Sequence, residues 1–101
     1  MSSTVTQFEW DPDKAARNLT RHRISFETAV RAFADPLALS AQDRVENGEQ
    51  RWQTLGTVEG YLLLLVAHTL RDAADGGEVI RIISARRADP KERKRYEQQD
   101  C

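Results

Sequence analysis

The spacing of apolar residues changes twice along the chain. Residues 4–10 alternate between polar and apolar positions, which predicts a first strand with Phe8 and Trp10 on one side. Between residues 11 and 36 the apolar residues recur every three or four positions, which predicts two helices. From residue 37 onward the alternation returns in four further segments, and a charged helical segment closes the chain. The predicted order of elements is therefore β-α-α-β-β-β-β-α.

Both of the early helices have residues that favour a helix start. Asp11 is a good N-cap for the first helix, and Pro12 suits the first helical position because no backbone N–H is needed there. Ser25 can cap the second helix, and the Asp-Pro pair at residues 35–36 ends it. The second helix has the clearest apolar face, which is formed by Phe26, Ala29, Val30 and Phe33.

The later strands are predicted at residues 36–45, 51–59, 61–70 and 78–86. Their short connections, one of which contains Asn47-Gly48, are typical of antiparallel hairpins. The segment from Leu62 to Val66 is apolar on both faces, which predicts a central strand. Asp89 and Glu92 form a capping-box pattern at the start of a short last helix. A helix pair followed by a meander indicates an α+β fold, with two helices packed on a small antiparallel sheet.

Length and composition limit the protein to a few broad classes. The 101 residues are enough for one small domain, taken as residues 1–101. The start of the chain lacks the basic and apolar stretches of a signal peptide, and the longest apolar run, at residues 61–67, is too short to cross a bilayer. The single cysteine is the last residue and predicts neither a disulfide nor a thiol site, which favours a cytoplasmic protein.

Motifs of the common enzyme classes and metal sites are missing from the sequence. His22 and His68 are 46 positions apart, with no cysteine or paired carboxylates nearby, so no metal site is predicted. The sequence also has no P-loop, no G-x-S-x-G and no G-x-G-x-x-G motif. We therefore expect neither a metal nor a cofactor.

The charge distribution is uneven, although the formal net charge is only −1. Residues 79–96 contain seven basic residues and two acidic ones. Arg81 lies in the middle of the last predicted strand, and regular alternation places it on one side with Val79 and Ile83. Burying an arginine without a partner is costly. Either a carboxylate pairs with Arg81, or this sheet face is open and binds an anion.

Other residues near Arg81 are candidates for a shared site. Arg86 and Arg87 end the strand on opposite sides, so one of them can join Arg81 or Arg71 of the neighbouring strand. His68 ends the most apolar strand and is either a half-buried structural histidine or a proton-transfer group; the expected register brings it closer to Arg81. Arginines bind phosphate oxygens, and RNA supplies its own nucleophile, the 2′-hydroxyl. Such a set is sufficient for RNA cleavage without metal.

The order of several motifs resembles that of the BrnT-type toxins of bacterial type II toxin–antitoxin systems. The matching segments are FEWDPDKAARNLTRHRISFETAVRAFADP, GEQRWQTLG, LLLVAHTLR and IRIISARRADPKERKRYE, which cover most of residues 8–97. The resemblance implies a RelE-like fold and a ribonuclease that inhibits translation and growth. It also implies neutralisation by a BrnA-type antitoxin with a ribbon-helix-helix DNA-binding part, so that operator DNA is bound only through the antitoxin.

The resemblance also selects site residues. Its closing motif contains Arg81, Arg86, Arg93 and Tyr96, and its middle motifs contain Arg51 and Arg71. The resulting hypothesis assigns catalysis to Arg71, Arg81, Arg86, His68 and Tyr96. Further RNA contacts are assigned to Arg51, Arg87 and Arg93, and Glu59 is a weaker candidate for proton transfer.

Two questions stay open at the level of the sequence. The competing hypothesis is a non-enzymatic module, such as an inactive toxin homologue, that binds a protein or nucleic acid through the same arginines. The loop at residues 71–78 is longer and more acidic than a tight hairpin. It can repel RNA, contact the antitoxin, or do neither.

Overall fold

The computed structural model describes residues 5–100, so Thr4 of the predicted first strand and Cys101 lie outside the described residues. The strands are β1 (Thr6–Glu9), β2 (Leu39–Glu46), β3 (Glu49–Val58), β4 (Leu62–Asp72) and β5 (Glu78–Arg87). The helices are α1 (Pro12–His22), α2 (Phe26–Ala32) and α3 (Pro90–Glu97), followed by a 3-10 turn at Gln98–Asp100. The predicted α+β class is confirmed.

The helix starts use the capping residues that the sequence predicts. The Asp11 carboxylate accepts a hydrogen bond of 2.9 Å from the backbone N–H two residues on, and the Ser25 hydroxyl accepts one of 3.0 Å from three residues on. At α3, the side chains of Asp89 and Glu92 each accept a hydrogen bond from the other's backbone N–H, at 2.8 and 2.9 Å. The predicted capping box is therefore confirmed, and it starts α3 directly after β5.

Within the described residues, five strands form one mixed sheet in the order β1-β5-β4-β3-β2. β2 to β5 form the predicted antiparallel meander, with β4 in the centre. β1 instead runs parallel to β5, with Phe8 level with Ile80 and Glu9 level with Arg81. The expectation of an all-antiparallel sheet is therefore wrong at this edge, because the alternation in a four-residue strand carries no information on strand direction.

The acidic loop before β5 is shorter than its sequence suggests. β4 continues to Asp72 and β5 begins at Glu78, and these two residues are paired across the hairpin. The loop therefore comprises residues 73–77 instead of residues 71–78. Its backbone closes through a 2.8 Å hydrogen bond from the N–H of Ala73 to the carbonyl oxygen of Gly77.

The two faces of the sheet are covered differently. α1 and α2 pack on one side, the helix face, whose buried core contains Ile24, Phe26, Ala29, Ala32, Val58, Leu64, Val66, Ile80, Ile82 and Ala85. The contact is close enough that a Cβ added at Gly56 would lie 2.2 Å from the carbonyl oxygen of Ala32. The other side, the open face, has a smaller buried cluster at one end, where Tyr96 of α3 packs against Leu55, Leu63 and Leu65.

Asn18 attaches α1 to the edge of β5. Its buried side chain donates hydrogen bonds of 2.9 Å to the carbonyl oxygens of Ile24 and Ala85 and accepts one of 3.1 Å from the N–H of Ala85. β1 pairs with β5 only as far as Arg81. Asn18 therefore satisfies backbone groups at the part of the β5 edge that β1 does not reach.

A β-bulge in β5 decides which side chains share the open face. The pairing of β4 with β5 shifts register between Ala67 and His68, which leaves Ile83 as an extra residue in β5. In a regular strand, Arg81 and Arg86 would lie on opposite faces because an odd number of positions separates them. The bulge reverses the alternation between the two arginines and brings both to the open face.

Candidate active site on the open face

Glu9, Arg71 and Arg81 form an ion-pair cluster on the open face, which we name the Glu9 cluster. Arg71 donates two hydrogen bonds to the Glu9 carboxylate, at 2.8 and 3.1 Å, and Arg81 donates one at 3.0 Å. The strand register makes these contacts possible, because β1 ends with Glu9 beside Arg81 and Arg71 lies on the neighbouring strand β4. Arg81 is thus paired with a carboxylate and also accessible, with 44% of its side chain exposed.

The two guanidinium groups keep the Glu9 carboxylate ionised. Hydrogen bonds from Arg71 and then from Arg81 lower the pKa of Glu9 from 4.5 to about 2. The three side chains carry two positive charges and one negative charge, and Glu49 nearby offsets part of the excess, because its charge adds to the hydrogen bond with Glu9 in raising the pKa of Arg71. The side chains of Glu9 and Arg71 are 35% and 55% exposed, so solvent and ligands can reach them. A positive cluster with accessible guanidinium groups suits the oxygens of a phosphate.

Arg51 of β3 extends this set across the sheet. Trp52 is paired with His68. The same register continued by one residue therefore places Arg51 level with Thr69, which is paired with Arg81. Neighbouring strands are about 4.8 Å apart, so the backbones of the two arginines are about 10 Å apart. The buried Nε of Arg51 makes no hydrogen bond within the described residues, but it lies 3.6 Å from a carboxylate oxygen of Glu46. Arg51 therefore adds a positive charge beside the Glu9 cluster that Glu46 partly neutralises.

Arg86 shares the open face but belongs to a second ion pair. It lies level with Leu65 and donates two hydrogen bonds to Glu92, at 2.8 and 2.9 Å. These hydrogen bonds lower the pKa of Glu92 and raise the pKa of Arg86. Arg81 is paired with Thr69, four residues further along β4 than Leu65, so the backbones of Arg81 and Arg86 are about 13 Å apart. The Arg86 side chain is directed at α3, where it helps to hold the helix against β5.

The expected register of His68 near Arg81 holds to within one residue, but the His68 side chain lies on the helix face and points away from Arg81. Its ring packs edge-on against Phe33 and is only 2% exposed. Nδ1 donates to the carbonyl oxygen of Thr69 at 3.2 Å, so Nε2 accepts from the Thr54 hydroxyl at 2.8 Å. Burial lowers the pKa of His68, and the ring is neutral near pH 7. The residue paired with Arg81 is Thr69. His68 is one residue before Thr69, so its side chain points to the opposite face of the sheet.

Tyr96 ties α3 to the segment that follows α2. Its hydroxyl donates a 2.5 Å hydrogen bond to Asp35, which also accepts hydrogen bonds from the N–H and the hydroxyl of Thr57, at 2.8 and 2.7 Å. Partial burial raises the pKa of Asp35, but the hydrogen bonds from Tyr96 and from backbone N–H groups outweigh it and lower the pKa to about 2. The β4 residue paired with Thr57 and the β4 residue paired with Arg81 are six positions apart, so Thr57 and Arg81 are separated by about 20 Å along the strand direction. Tyr96 is therefore remote from the Glu9 cluster.

The remaining candidates lie elsewhere on the surface. Arg87 is exposed and lies level with Leu64, whose side chain is on the helix face. Arg93 is exposed on α3. Glu59 lies in the turn between β3 and β4, with a φ of 60°, and forms an ion pair with Arg31 of α2. The described contacts join none of these candidates to the Glu9 cluster.

Comparison with known proteins identifies the family. The family model for "Ribonuclease toxin, BrnT, of type II toxin-antitoxin system" matches residues 10–92. The chain belongs to the BrnT family. The resemblance predicted from the motifs is thereby confirmed, and membership in a type II toxin family implies a protein antitoxin as partner. The matched span begins just after Glu9 and ends before Arg93 and Tyr96.

A solved structure has a similar fold. The chain is similar to the 1.1 Å crystal structure of the Brucella abortus ribonuclease toxin BrnT, with a TM-score of 0.57 and 16% sequence identity. The match covers 84% of this chain and 99% of that chain. No curated protein matches the chain. Within residues 5–100, no helix has the length and apolar character needed to cross a membrane.

Glu9 is the residue of this BrnT-family site that sequence reasoning missed. The available signal was its position between Phe8 and Trp10, which directs it away from the side of β1 that packs into the core. No local pattern predicts that β1 lies beside β5. Together with Arg71 and Arg81, Glu9 combines charge stabilisation for a phosphate with a carboxylate that can accept a proton.

Proposed function

We propose that the protein is an endoribonuclease toxin that cleaves RNA by attack of a 2′-hydroxyl on the adjacent phosphate, without a metal. The observation that supports this proposal is the convergence of Arg71 and Arg81 on Glu9 at an accessible sheet face. Arg51 adds a further positive charge in the same row, where it is paired with Glu46. RNA carries both the anion that such a site binds and the nucleophile for its cleavage, so binding and orientation supply much of the catalysis.

The proposed reaction depends on competition between phosphate and Glu9 for the same guanidinium groups. A bound phosphate takes N–H donors of Arg71 and Arg81 away from Glu9, so the pKa of Glu9 rises toward its ordinary value. The freed carboxylate accepts the proton of the 2′-hydroxyl as the O2′–P bond forms. The P–O5′ bond breaks and O5′ takes a proton from solvent. The products are a 2′,3′-cyclic phosphate and a 5′-hydroxyl end.

The other predicted site residues have different roles in this proposal. Arg86, Arg87 and Arg93 contact RNA beyond the scissile phosphate, because they lie at the end of β5 and on α3. His68 and Tyr96 are assigned to the structure, because their hydrogen bonds hold the helix face and α3.

We also propose the biological setting. The toxin inhibits translation and growth in the cytoplasm, and a BrnA-type antitoxin with a ribbon-helix-helix part neutralises it and carries the pair to operator DNA. Membership in the BrnT family supports this setting. We assign the fold to the RelE-like superfamily, which the two helices packed on one face of a meander support.

A non-enzymatic binding module is the second candidate, and one observation favours it. Glu9 occupies both guanidinium groups of the cluster, while His68 and Tyr96 are hydrogen-bonded elsewhere. In such a module, Glu9 would orient Arg71 and Arg81 for a partner, and no bond would be broken.

Arg81→Ala distinguishes the two candidates. Purified wild-type protein is expected to cleave single-stranded RNA in the presence of EDTA and to leave 2′,3′-cyclic phosphate ends. Arg81→Ala should slow cleavage by about 10²-fold or more, because it removes a donor to the charged phosphate. The matched control is Arg31→Ala, which removes an exposed, ion-paired arginine from α2 and should cleave like the wild type.

A second substrate tests the nucleophile. RNA with a single 2′-deoxynucleotide at the cleavage site should resist cleavage, because the attacking hydroxyl is missing. Cleavage of that substrate, or full activity of Arg81→Ala, would overturn the mechanism. RNA binding without cleavage by the folded wild type would favour the binding module. In cells, growth arrest by the wild type should be relieved by the antitoxin and lost with Arg81→Ala.

A further inference from the structure

A groove of about 670 Å³ lies between α1 and the edge of β5, and we name it the α1 groove. Its lining includes Lys14, Arg17 and Arg21 from α1 and Ile83 and Ser84 from β5. The groove exists because β1 ends before it reaches this part of β5, which leaves α1 as the neighbour of the strand edge. The bulge of β5 therefore lies on one side of the groove, and three basic side chains lie on the other.

The basic residues of the α1 groove differ from the arginines of the Glu9 cluster in their charge balance. Arg71 and Arg81 share a carboxylate, but within residues 5–100 no ion pair involves Lys14, Arg17 or Arg21. The three residues occupy positions i, i+3 and i+7, so they lie along one side of α1 over about 10 Å. All three are exposed. The groove therefore has a row of positive charge with no carboxylate of the described residues at ion-pair distance.

The α1 groove begins close to the Glu9 cluster. Ser84 lines the groove and, on the sheet, lies level with Ala67. Ala67 is two residues along β4 from the level of Arg81, or about 7 Å. Ser84 also lies between Arg81 and Arg86 on β5. A ligand that extends from the Glu9 cluster past the end of β1 therefore reaches the groove within a short distance.

We propose that the α1 groove binds the sugar–phosphate backbone of single-stranded RNA next to the cleaved phosphate. The inference rests on the proposed function, because the RNA held at the Glu9 cluster is the strand that continues into the groove. Lysine and arginine side chains along one side of a helix contact phosphates without reading bases. Binding through the groove is therefore independent of sequence and strongly dependent on salt.

The test compares two triple variants that each lose three positive charges. One is Lys14→Ala/Arg17→Ala/Arg21→Ala in the groove, and the other is Lys91→Ala/Lys94→Ala/Arg95→Ala on the exposed side of α3. The probe is a short fluorescein-labelled 2′-O-methyl RNA, whose blocked 2′ oxygen prevents cleavage, and the readout is fluorescence anisotropy over a range of salt concentrations. Circular dichroism and thermal unfolding check that both variants fold, as expected for alanine in exposed helical positions.

RNA binding by the groove variant should depend less on salt than binding by the wild type, because three phosphates of the RNA lose their basic partners. Three phosphate contacts correspond to a change of about 2 in the slope of log K against log salt, and to at least about a tenfold loss of affinity at physiological salt. The α3 variant should keep the slope and affinity of the wild type. Equal losses in the two variants would overturn the proposal, because they would show a general charge effect.

Cleavage of the unmodified RNA separates this inference from the proposed function. A wild type that cleaves RNA, together with a folded groove variant that binds the probe like the wild type, overturns the groove and leaves the ribonuclease function intact. A wild type that binds the probe through the groove but cleaves nothing supports the groove and contradicts the ribonuclease function. A groove variant that loses antitoxin binding but keeps RNA binding shows a protein interface instead and overturns the proposal.

Discussion

Replacing Glu9 by Gln keeps the size of the side chain and removes the charge that pairs with Arg71 and Arg81. The proposed mechanism predicts opposite changes in two measurable quantities. RNA cleavage should slow, because the amide cannot accept the proton of the 2′-hydroxyl. RNA binding should tighten, because both guanidinium groups are released for the phosphate. A role of Glu9 in folding alone predicts neither change.

The structure sets the size of each effect. Loss of a positioned general base typically slows a reaction by about 10²- to 10⁴-fold. Glu9 accepts three hydrogen bonds of 2.8–3.1 Å, but its side chain is 35% exposed and solvent screens these contacts. We therefore expect Glu9→Gln to lower the free energy of unfolding by only about 1 kcal/mol. By the same reasoning, release of the arginines should strengthen RNA binding by about three- to tenfold.

Two assays separate the predicted effects. Single-turnover cleavage with saturating protein reports the chemical step, and anisotropy with non-cleavable 2′-O-methyl RNA reports binding. Glu27→Gln makes the same substitution at an exposed position of α2 and should match the wild type in both assays. A Glu9→Gln protein that cleaves RNA at the wild-type rate would refute Glu9 as the base. Weaker RNA binding by Glu9→Gln would refute the competition between Glu9 and phosphate.

Three further predictions concern residues outside the Glu9 cluster. Asn18→Ala should lower the free energy of unfolding by about 2–4 kcal/mol in chemical denaturation, because it leaves the buried N–H and C=O of Ala85 without Asn18 as partner. His68→Ala should lower it by about 2–3 kcal/mol, because it leaves a cavity beside Phe33, yet the cleavage rate per folded molecule should not change. Asp35→Asn should cost about 1–2 kcal/mol at neutral pH in thermal unfolding. The pKa of Asp35 is lowered from 3.8 to about 2 on folding, so its carboxylate stabilises the native state above about pH 4, and this contribution disappears as the pH falls toward 2.

Each of these predictions has a contrary result. Unchanged stability of Asn18→Ala would show that the backbone of Ala85 finds other partners. A loss of cleavage in His68→Ala beyond the loss of folded protein would return His68 to the catalytic set. An Asp35→Asn protein with the same acid sensitivity between pH 4 and 2 as the wild type would show that other carboxylates carry this pH dependence.

Local signals in the sequence predict much of the secondary structure. The capping box of Asp89 and Glu92 and the caps at Asp11 and Ser25 involve residues only two or three positions apart, so short sequence patterns reveal them. The apolar run from Leu62 to Val66 likewise predicts the central position of β4. The motifs that resemble the BrnT family are spread over most of the chain, which is why their order identifies the family.

The candidate site could be predicted only in part. An arginine in an apolar strand requires a partner or a ligand, and this requirement singled out Arg81 from the sequence. Its partner Glu9 is 72 positions away and comes from a strand whose parallel direction no local pattern encodes. Arg86 joins the same face only because Ile83 is bulged, and a bulge shifts all later side chains by one face.

By itself, the sequence of this protein determined the helices and strands, the arginines that need an anionic partner, and the family. Periodicity achieves this because it reports which residues share a side within one element. The pairing of distant strands decides which sides meet. Only the tertiary structure therefore placed Glu9 between Arg71 and Arg81 and directed His68 into the core beneath α2. It also left the basic side of α1 beside the part of the β5 edge that β1 does not reach.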